Sequence, residues 1–351
     1  MIGHLAYATG SPCPTVVLDA GRMAPDEDTI RRDLTEVRRY LDAAGGSHVL
    51  KFALVRPSDH PMFDLDYRFV QALPGGPDRF DFRGSCGHSI LSAVVSAERA
   101  GMLAKLTAGD RVRVNVLNNG DSVVCEIDAT GRDEVRLTVY FVQSSAVPVS
   151  RLLLAGEPRT ALEADGRIYP VSLVSAGNAY VFVDARELGV RDHTALFSAG
   201  SDLFERMGRI RLAAAERLGW SPDGAFPKIA AIMPTAGGRI AARAISVPSW
   251  HPTIALTGAV CLGAATQVPG TVPWQLAREL GRDGGLIDIT TPGGDTAVTA
   301  TTHENGGEPT LTWVGVGRKQ VTFQGSFVLE PLAHLHFEEI TQCLALSAAS
   351  A

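Results

Sequence analysis

Three short segments in the first half of this chain return in the second half, in the same order and at nearly constant spacing. A glycine turn between apolar strands, a lysine that begins an apolar strand and the start of an apolar helix each occur twice, 167, 177 and 169 positions apart. The paired positions are Gly10 and Gly177, Lys51 and Lys228, and Cys86 and Ala255. This pattern predicts two copies of one strand, helix, strand, helix unit.

The segment from Cys86 to Gly101 joins a reactive side chain to the start of a helix. Its residues from Ile90 onward are apolar on nearly every face, which predicts a helix that is buried all round. A helix start has free N–H groups and a partial positive charge, so it binds anions and favours a thiolate. Thr257 lies at a similar helix start, and we predict that both starts face one cleft. The residues expected to bind anions there are Gly87, His88, Ser89, Thr257, Gly258 and Ala259.

Charge and cysteine content limit the classes of partner. The 351 residues include 32 Lys and Arg against 38 Asp and Glu, and the net charge of −6 argues against a nucleic acid or an anionic membrane as partner. No stretch reaches the ~18 apolar residues of a spanning helix, and no signal peptide is recognised, so we predict a cytoplasmic protein. The cysteines form no C-x-x-C pair and are expected to be reduced. Those expected in the core are Cys13, Cys125, Cys261 and Cys343.

The length of the chain allows two domains, and we predict one over residues 1–150 and one over residues 151–351. The first carries the lysine strand and the cysteine helix. Segments of alternating apolar and polar residues after each apolar helix predict antiparallel strands in both halves. Prolines within residues 144–166 favour a linker there, and residues 334–351 are expected to form a helix that packs on either half.

Two side chains are candidates for moving a proton. A thiol at a helix start, such as Cys86, has a lowered pKa, although an inert buried cysteine is the alternative. Lys51 lies among apolar strand residues, so its ammonium is either desolvated and suited to base catalysis or reaches water at the strand end. Lys228 follows Pro227 at the start of its strand and is expected to reach water.

His88 and Arg318 are further candidates for contact with a substrate carboxylate. His88 either hydrogen bonds such a group or caps the helix. Arg318 either reaches a carboxylate or forms a surface salt bridge. No G-x-G-x-x-G or G-x-x-x-x-G-K-[ST] motif occurs, which argues against a nucleotide site.

Together these segments resemble the PrpF family, the cofactor-independent methylaconitate and oxalomesaconate isomerases with the diaminopimelate epimerase fold. The motifs behind the resemblance are Gly10-Ser11, Lys51 before Pro57-Ser58, Ser85-Cys86-Gly87-His88, Ala176-Gly177-Asn178, and His251 before Thr257-Gly258-Ala259. The resemblance implies an α+β fold of two pseudo-symmetric, mixed β-barrel-like domains, each wrapped around a central helix. It also implies an active site between them and a 1,3-allylic proton shift in an unsaturated di- or tricarboxylate, with no metal or organic cofactor.

The resemblance also implies roles for individual residues. Lys51 matches the acid/base lysine of the family and Cys86 its helix-start cysteine. In the epimerases a second cysteine stands where this chain has Ala255, which argues against a two-thiol racemase. Further substrate contacts are expected at Ser11, Asn178, Gly293 and Arg318. The chain departs from the family at Thr291-Pro292-Gly293-Gly294, where His-Pro-Ser-Gly is usual, and at Arg318-Lys319, which stands in for an arginine-rich motif.

Two alternatives remain open from the sequence. One is an epimerase or racemase that acts at a stereocentre next to a carboxylate. The other is a carboxylate-binding protein without activity on the same scaffold, because several contact positions differ from the family. In each case the expected partner is a small carboxylate, with no nucleic acid and no membrane, and a homodimer is compatible with the sequence.

Overall fold

The computed structural model describes residues 1–224, 226–246, 249–282, 284–304, 307–332 and 335. Its first half contains β1 (Ile2–Ala8), β2 (Thr15–Asp19), α1 (Glu27–Ala43), β3 (Lys51–Pro57), β4 (Leu65–Ala72), β5 (Phe80–Asp81), α2 (Gly87–Arg99), β6 (Arg111–Val116), β7 (Asp121–Thr130) and β8 (Glu134–Pro148). Its second half contains β9 (Thr160–Ala164), β10 (Arg167–Ala176), β11 (Asn178–Asp184), α3 (His193–Ser198), α4 (Ser201–Arg217), β12 (Lys228–Pro234), β13 (Ile240–Ser246), β14 (Ser249–Trp250), α5 (Leu256–Ala265), α6 (Val272–Glu279), β15 (Ile287–Thr291), β16 (Gly294–His303) and β17 (Thr310–Val328).

Eight strands close into a ring that we call the first barrel. Around the ring the order is β1, β2, β3, β4, β6, β7, β8 and β17, and β17 pairs again with β1. The pairs β2–β3 and β4–β6 are parallel, and the others are antiparallel. The closing strand therefore comes from the far end of the chain, where Gln320 lies opposite Arg136 and Val321 opposite Ala8.

The strands from β10 onward pair in an order that matches the strands of the first barrel. The pair β11–β12 is parallel, β12–β13 is antiparallel, β13–β15 is parallel, and β15–β16 and β16–β17 are antiparallel. The two halves meet where the first part of β17 pairs with the last part of β8, from Val316 opposite Val139 to Thr310 opposite Pro148. Both β8 and β17 thus belong to the two halves at once.

Two helices lie inside this framework. Every residue of α2 from Gly87 to Ala97 is buried, and so is every residue of α5. Because most residues of both helices are apolar, burial removes large aliphatic side chains from water, at ~1.5–3 kcal/mol for each. The helices α1 and α4 are amphipathic and cover outer faces of the sheet, with buried residues such as Leu34 and Met207. No helix in the described ranges is long and apolar enough to cross a bilayer.

Two local expectations differ from the structure or lie outside its described residues. Residues 144–166 are not a simple linker, because β8 extends to Pro148 and β9 pairs with β10. The helix predicted over residues 334–351 lies outside the described residues. The boundary at residue 150 stays a prediction.

Candidate active site

The first turns of α2 and α5 contact each other across the two halves. A Cβ atom at Gly87 would lie 2.5 Å from Cδ2 of Leu256, so only a glycine allows this approach. At Gly258 a Cβ atom would overlap the hydroxyl of Tyr180. Because the first N–H groups of each helix have no partner within the helix, the two partial positive charges meet in one region.

Replacement of Gly87 by alanine tests this close approach. We expect Gly87→Ala to lower the free energy of unfolding by ~1–3 kcal/mol, because the new methyl group overpacks against the Leu256 side chain. Gly208→Ala is the matched control, since no atom lies within 4 Å of its added Cβ in α4, and it should stabilise the protein by ~0.5–1 kcal/mol. Urea denaturation measures both, and equal effects for the two variants would contradict the contact.

Lys51 begins β3 with its ammonium inside the protein. Its side chain is only 7% exposed, and Nζ donates a hydrogen bond to Oγ of Ser11 at 2.8 Å. The Ser11 hydroxyl in turn donates to the carbonyl of Cys13 at 2.8 Å. The structure therefore agrees with the interpretation in which the Lys51 ammonium is desolvated. The strands β2 and β4 pair with β3 on its two sides and shield Lys51 from water.

Cys86 occupies the N-cap position of α2 without a side-chain hydrogen bond to the helix backbone, and it is half-buried. Burial alone would raise the pKa of its thiol, but the Lys51 charge and hydrogen bonds from the hydroxyl and N–H of Ser89 outweigh it, with a further contribution from Lys228. The net result is a lowered pKa. The Ser89 hydroxyl is fully buried and lies 2.9 Å from Oγ1 of Thr15, so it is held in place beside the thiol.

Two buried imidazoles stack next to these groups. The rings of His88 and His251 lie 6.2 Å apart and nearly parallel. Burial, with the charges of Lys228 and Lys51, lowers the pKa of His251 to about 3, and burial likewise holds the pKa of His88 well below its usual value. Both rings are therefore neutral near pH 7. The Nδ1 of His251 accepts the N–H of Thr253 at 3.1 Å, so its proton sits on Nε2, whereas Nε2 of His88 has no partner in the described part of the chain.

Lys228 and Lys319 add two more ammonium groups. Lys228 is half-buried, so the expectation that it reaches water is met only in part. Burial and the Lys51 charge lower its pKa, partly offset by Cys86, and Nζ lies 5.7 Å from the ring centre of Phe226. Burial lowers the pKa of Lys319 to about 8. The three lysines and the neighbouring His251 lower the pKa of His88, and no carboxylate of the described residues acts against them. The centre is thus cationic within a chain of net charge −6.

A cavity of about 160 Å³ adjoins this centre. Three chain segments and one side chain line it, namely residues 9–10, 293–296 and 318–320 and Thr253. The Thr253 hydroxyl donates to the carbonyl of Gly10 at 3.1 Å, next to the Ser11 that holds Lys51. Within the described ranges, no three His, Cys, Asp or Glu side chains lie close enough together to hold a metal ion.

The other residues predicted to contact a substrate lie around this centre, and they differ in whether their polar groups already have partners. The Asn178 amide donates to Oγ1 of Thr257 at 2.7 Å and so is engaged at the start of α5. Gly293 lines the cavity and packs against the backbone of Pro252. Arg318 lines the cavity as well, but its guanidinium is 48% exposed and forms an ion pair with Asp288 at 2.8 Å. Ala259 is buried within α5.

Several residues of the centre have no function predicted from the sequence. Lys228 is expected to reach water, and His251 is part of a family motif without a role of its own. Cys13 is buried, as expected for a core residue, yet its thiol lies within electrostatic reach of Lys51 and Cys86. The sequence does contain a signal that could have identified His251 as a residue of the site. His251 and Pro252 stand directly before the second apolar helix. Cys125 and Cys261 are buried, as predicted, and Cys343 lies outside the described residues.

Comparison with known proteins decides the family. A model of the PrpF protein family matches residues 36–326. The chain belongs to the PrpF family. It is 27% identical to the 4-oxalomesaconate tautomerase of Pseudomonas putida, over 74% of this chain and 77% of the relative. It is 24% identical to the 3-methylitaconate isomerase of Eubacterium barkeri, over 73% and 78%.

Solved structures show the same fold. A methylitaconate Δ-isomerase superposes with a TM-score of 0.69 at 19% identity, covering 94% of this chain and 95% of that one. A probable proline racemase from Agrobacterium radiobacter superposes less well, with a TM-score of 0.59 at 16% identity, covering 95% of both chains. The predicted family, the epimerase-like α+β fold and the prediction of an isomerase are thereby confirmed.

Proposed function

We propose that this PrpF-family protein catalyses a cofactor-independent 1,3-allylic proton shift in an unsaturated di- or tricarboxylate. One observation carries the proposal: a buried ammonium, Lys51, lies within electrostatic reach of a thiol with a lowered pKa, Cys86, in a cationic centre at two helix starts. Relatives named tautomerase and isomerase support the same reaction class. The common order of strand pairing in the two halves supports a further proposal, that the chain contains two copies of one unit.

The proposed reaction needs one base and one acid. The Cys86 thiolate removes the allylic proton, and the electron pair of that C–H bond forms the new C=C bond while the old one opens toward a conjugated carboxylate. Helix N–H groups and the lysine charges stabilise the negative charge that spreads onto this carboxylate. The Lys51 ammonium then delivers a proton to the far carbon. A proton passed from the Cys86 thiol to the Lys51 amine restores the enzyme, and the reverse reaction exchanges the two roles.

Each proposed contact has a separate part in this scheme. The helix starts at Gly87, His88 and Ser89 and at Thr257, Gly258 and Ala259 are proposed to hold carboxylates. Ser11 positions the Lys51 ammonium through their hydrogen bond of 2.8 Å. Asn178 is proposed to act by orienting Thr257. A cytoplasmic location and a homodimer stay predictions.

A screen in D2O tests the proposal. The purified protein is incubated with unsaturated di- and tricarboxylates and followed by proton NMR. We expect deuterium to enter an allylic carbon of at least one acid while its double bond moves. Exchange at a stereocentre with loss of optical activity and no movement of a double bond would indicate a racemase instead. Calorimetric binding of these acids without any exchange would indicate a carboxylate-binding protein.

A further inference from the structure

Lys319 is a buried ammonium whose charge lacks a partner. Its side chain is 6% exposed and lines the cavity of about 160 Å³, and among the described residues its ammonium has no hydrogen-bond or ion-pair partner. A buried charge without a partner destabilises a protein far more than a paired one. The burial of this ammonium is explained if an anion binds in the cavity and pairs with it.

A bulge in β17 turns Lys319 inward. Val316 lies opposite Val139 and Lys319 opposite Leu137, so two residues of β17 face one residue of β8. Arg318, within this bulge, has a positive φ of 58°, a strained conformation for a residue other than glycine. The extra residue reverses the alternation of the strand, so that Arg318 faces solvent and Lys319 the interior.

The other charged side chains along the cavity are already paired. Arg318 forms its ion pair with Asp288, and Asp295 forms one with Arg239. Within the described part of the chain, Lys319 is therefore the unpaired charge of the cavity. The cavity lies beside the Lys51 site, because Gly10 in its wall precedes the Ser11 that binds Lys51.

We propose that Lys319 binds a carboxylate of the substrate that takes no part in the proton shift, and thereby selects polycarboxylates over monocarboxylates. This inference rests on the proposed function only in calling the bound acid a substrate, because an anion can bind without reacting. A carboxylate in the cavity would pair with the Lys319 ammonium, and Thr9 at its wall offers a hydroxyl group. The rest of the acid would extend toward Lys51 and Cys86.

Calorimetry with two unreactive probes tests the inference. The probes are propane-1,2,3-tricarboxylate and butyrate, neither of which has a double bond to move. We expect Lys319→Met to weaken tricarboxylate binding by at least about 30-fold and to leave butyrate binding unchanged, because only the former needs a second cation. Lys319→Arg should restore most of the affinity. Lys105→Met, at an exposed position of the first half, is the matched control and should bind both probes as the unaltered protein does.

Stability measurements separate a binding role from a structural one. Removal of an unpaired buried charge should raise the Tm of Lys319→Met without ligand, and the tricarboxylate should no longer raise that Tm further. If this variant fails to fold, Lys319→Gln replaces it in the same comparison. An unchanged tricarboxylate affinity, or an equal loss for both probes, would overturn the inference. Intact selectivity in a protein that exchanges no deuterium would overturn the proposed function and leave the Lys319 site standing.

Discussion

Replacement of Lys51 by methionine should abolish double-bond migration. The variant keeps the apolar stem in β3 but removes both the proton donor and the charge that lowers the pKa of Cys86. We expect the rate to fall by about 100- to 10,000-fold, the usual contribution of a general acid or base. The measurement is the initial rate of isomerisation by proton NMR, on an acid that passes the D2O screen.

Two further variants sharpen the test of Lys51. Lys51→Arg keeps the positive charge but cannot release a proton near neutral pH, so it should be nearly as inactive as Lys51→Met. Lys105→Met removes an exposed lysine and should keep the full rate. A rate for Lys51→Arg close to that of the unaltered protein would show that Lys51 supplies charge and transfers no proton.

Cys86→Ser should cause a loss of similar size, about 100- to 10,000-fold. A serine hydroxyl fills most of the space of the thiol but does not ionise at neutral pH, so the base is lost while a small polar side chain remains at the start of α2. Cys125→Ala is the control, because Cys125 lies in the wall of the first barrel and not at the helix starts. Activity of Cys86→Ser close to that of Cys125→Ala would contradict a role for the thiol in proton transfer.

The pH dependence of the reaction should follow the Cys86 thiol. Its pKa is lowered by Lys51 and Ser89, so the reactive thiolate persists to lower pH than in an ordinary cysteine. The rate should therefore fall on the acid side only as the pH drops through this lowered pKa. In Lys51→Met that pKa should rise, and alkylation of Cys86 by iodoacetamide at a series of pH values measures the shift. An unchanged alkylation profile in the variant would contradict the coupling.

Local patterns predicted the parts of this fold that depend on neighbouring residues. The burial of α2 follows from the large number of apolar residues in the helix. The position of Cys86 directly before the first residue of α2, Gly87, is likewise visible in the local sequence. The burial of Lys319 could not be predicted in this way. Lys319 faces the interior because of a bulge that depends on pairing with β8, and that strand lies far away in the sequence. The linker prediction failed for the same reason, since the end of β8 is held by β17.

The closing strand of the first barrel has a consequence for how the protein is made. The ribosome synthesises the chain from the N-terminus, so the strands from β1 to β8 emerge long before the second part of β17. Until then the barrel has an open seam between β1 and β8, whose edges carry unpaired backbone groups. The first barrel can therefore close only after residue 328 has left the exit tunnel, and until then the open edges of β1 and β8 are prone to aggregation.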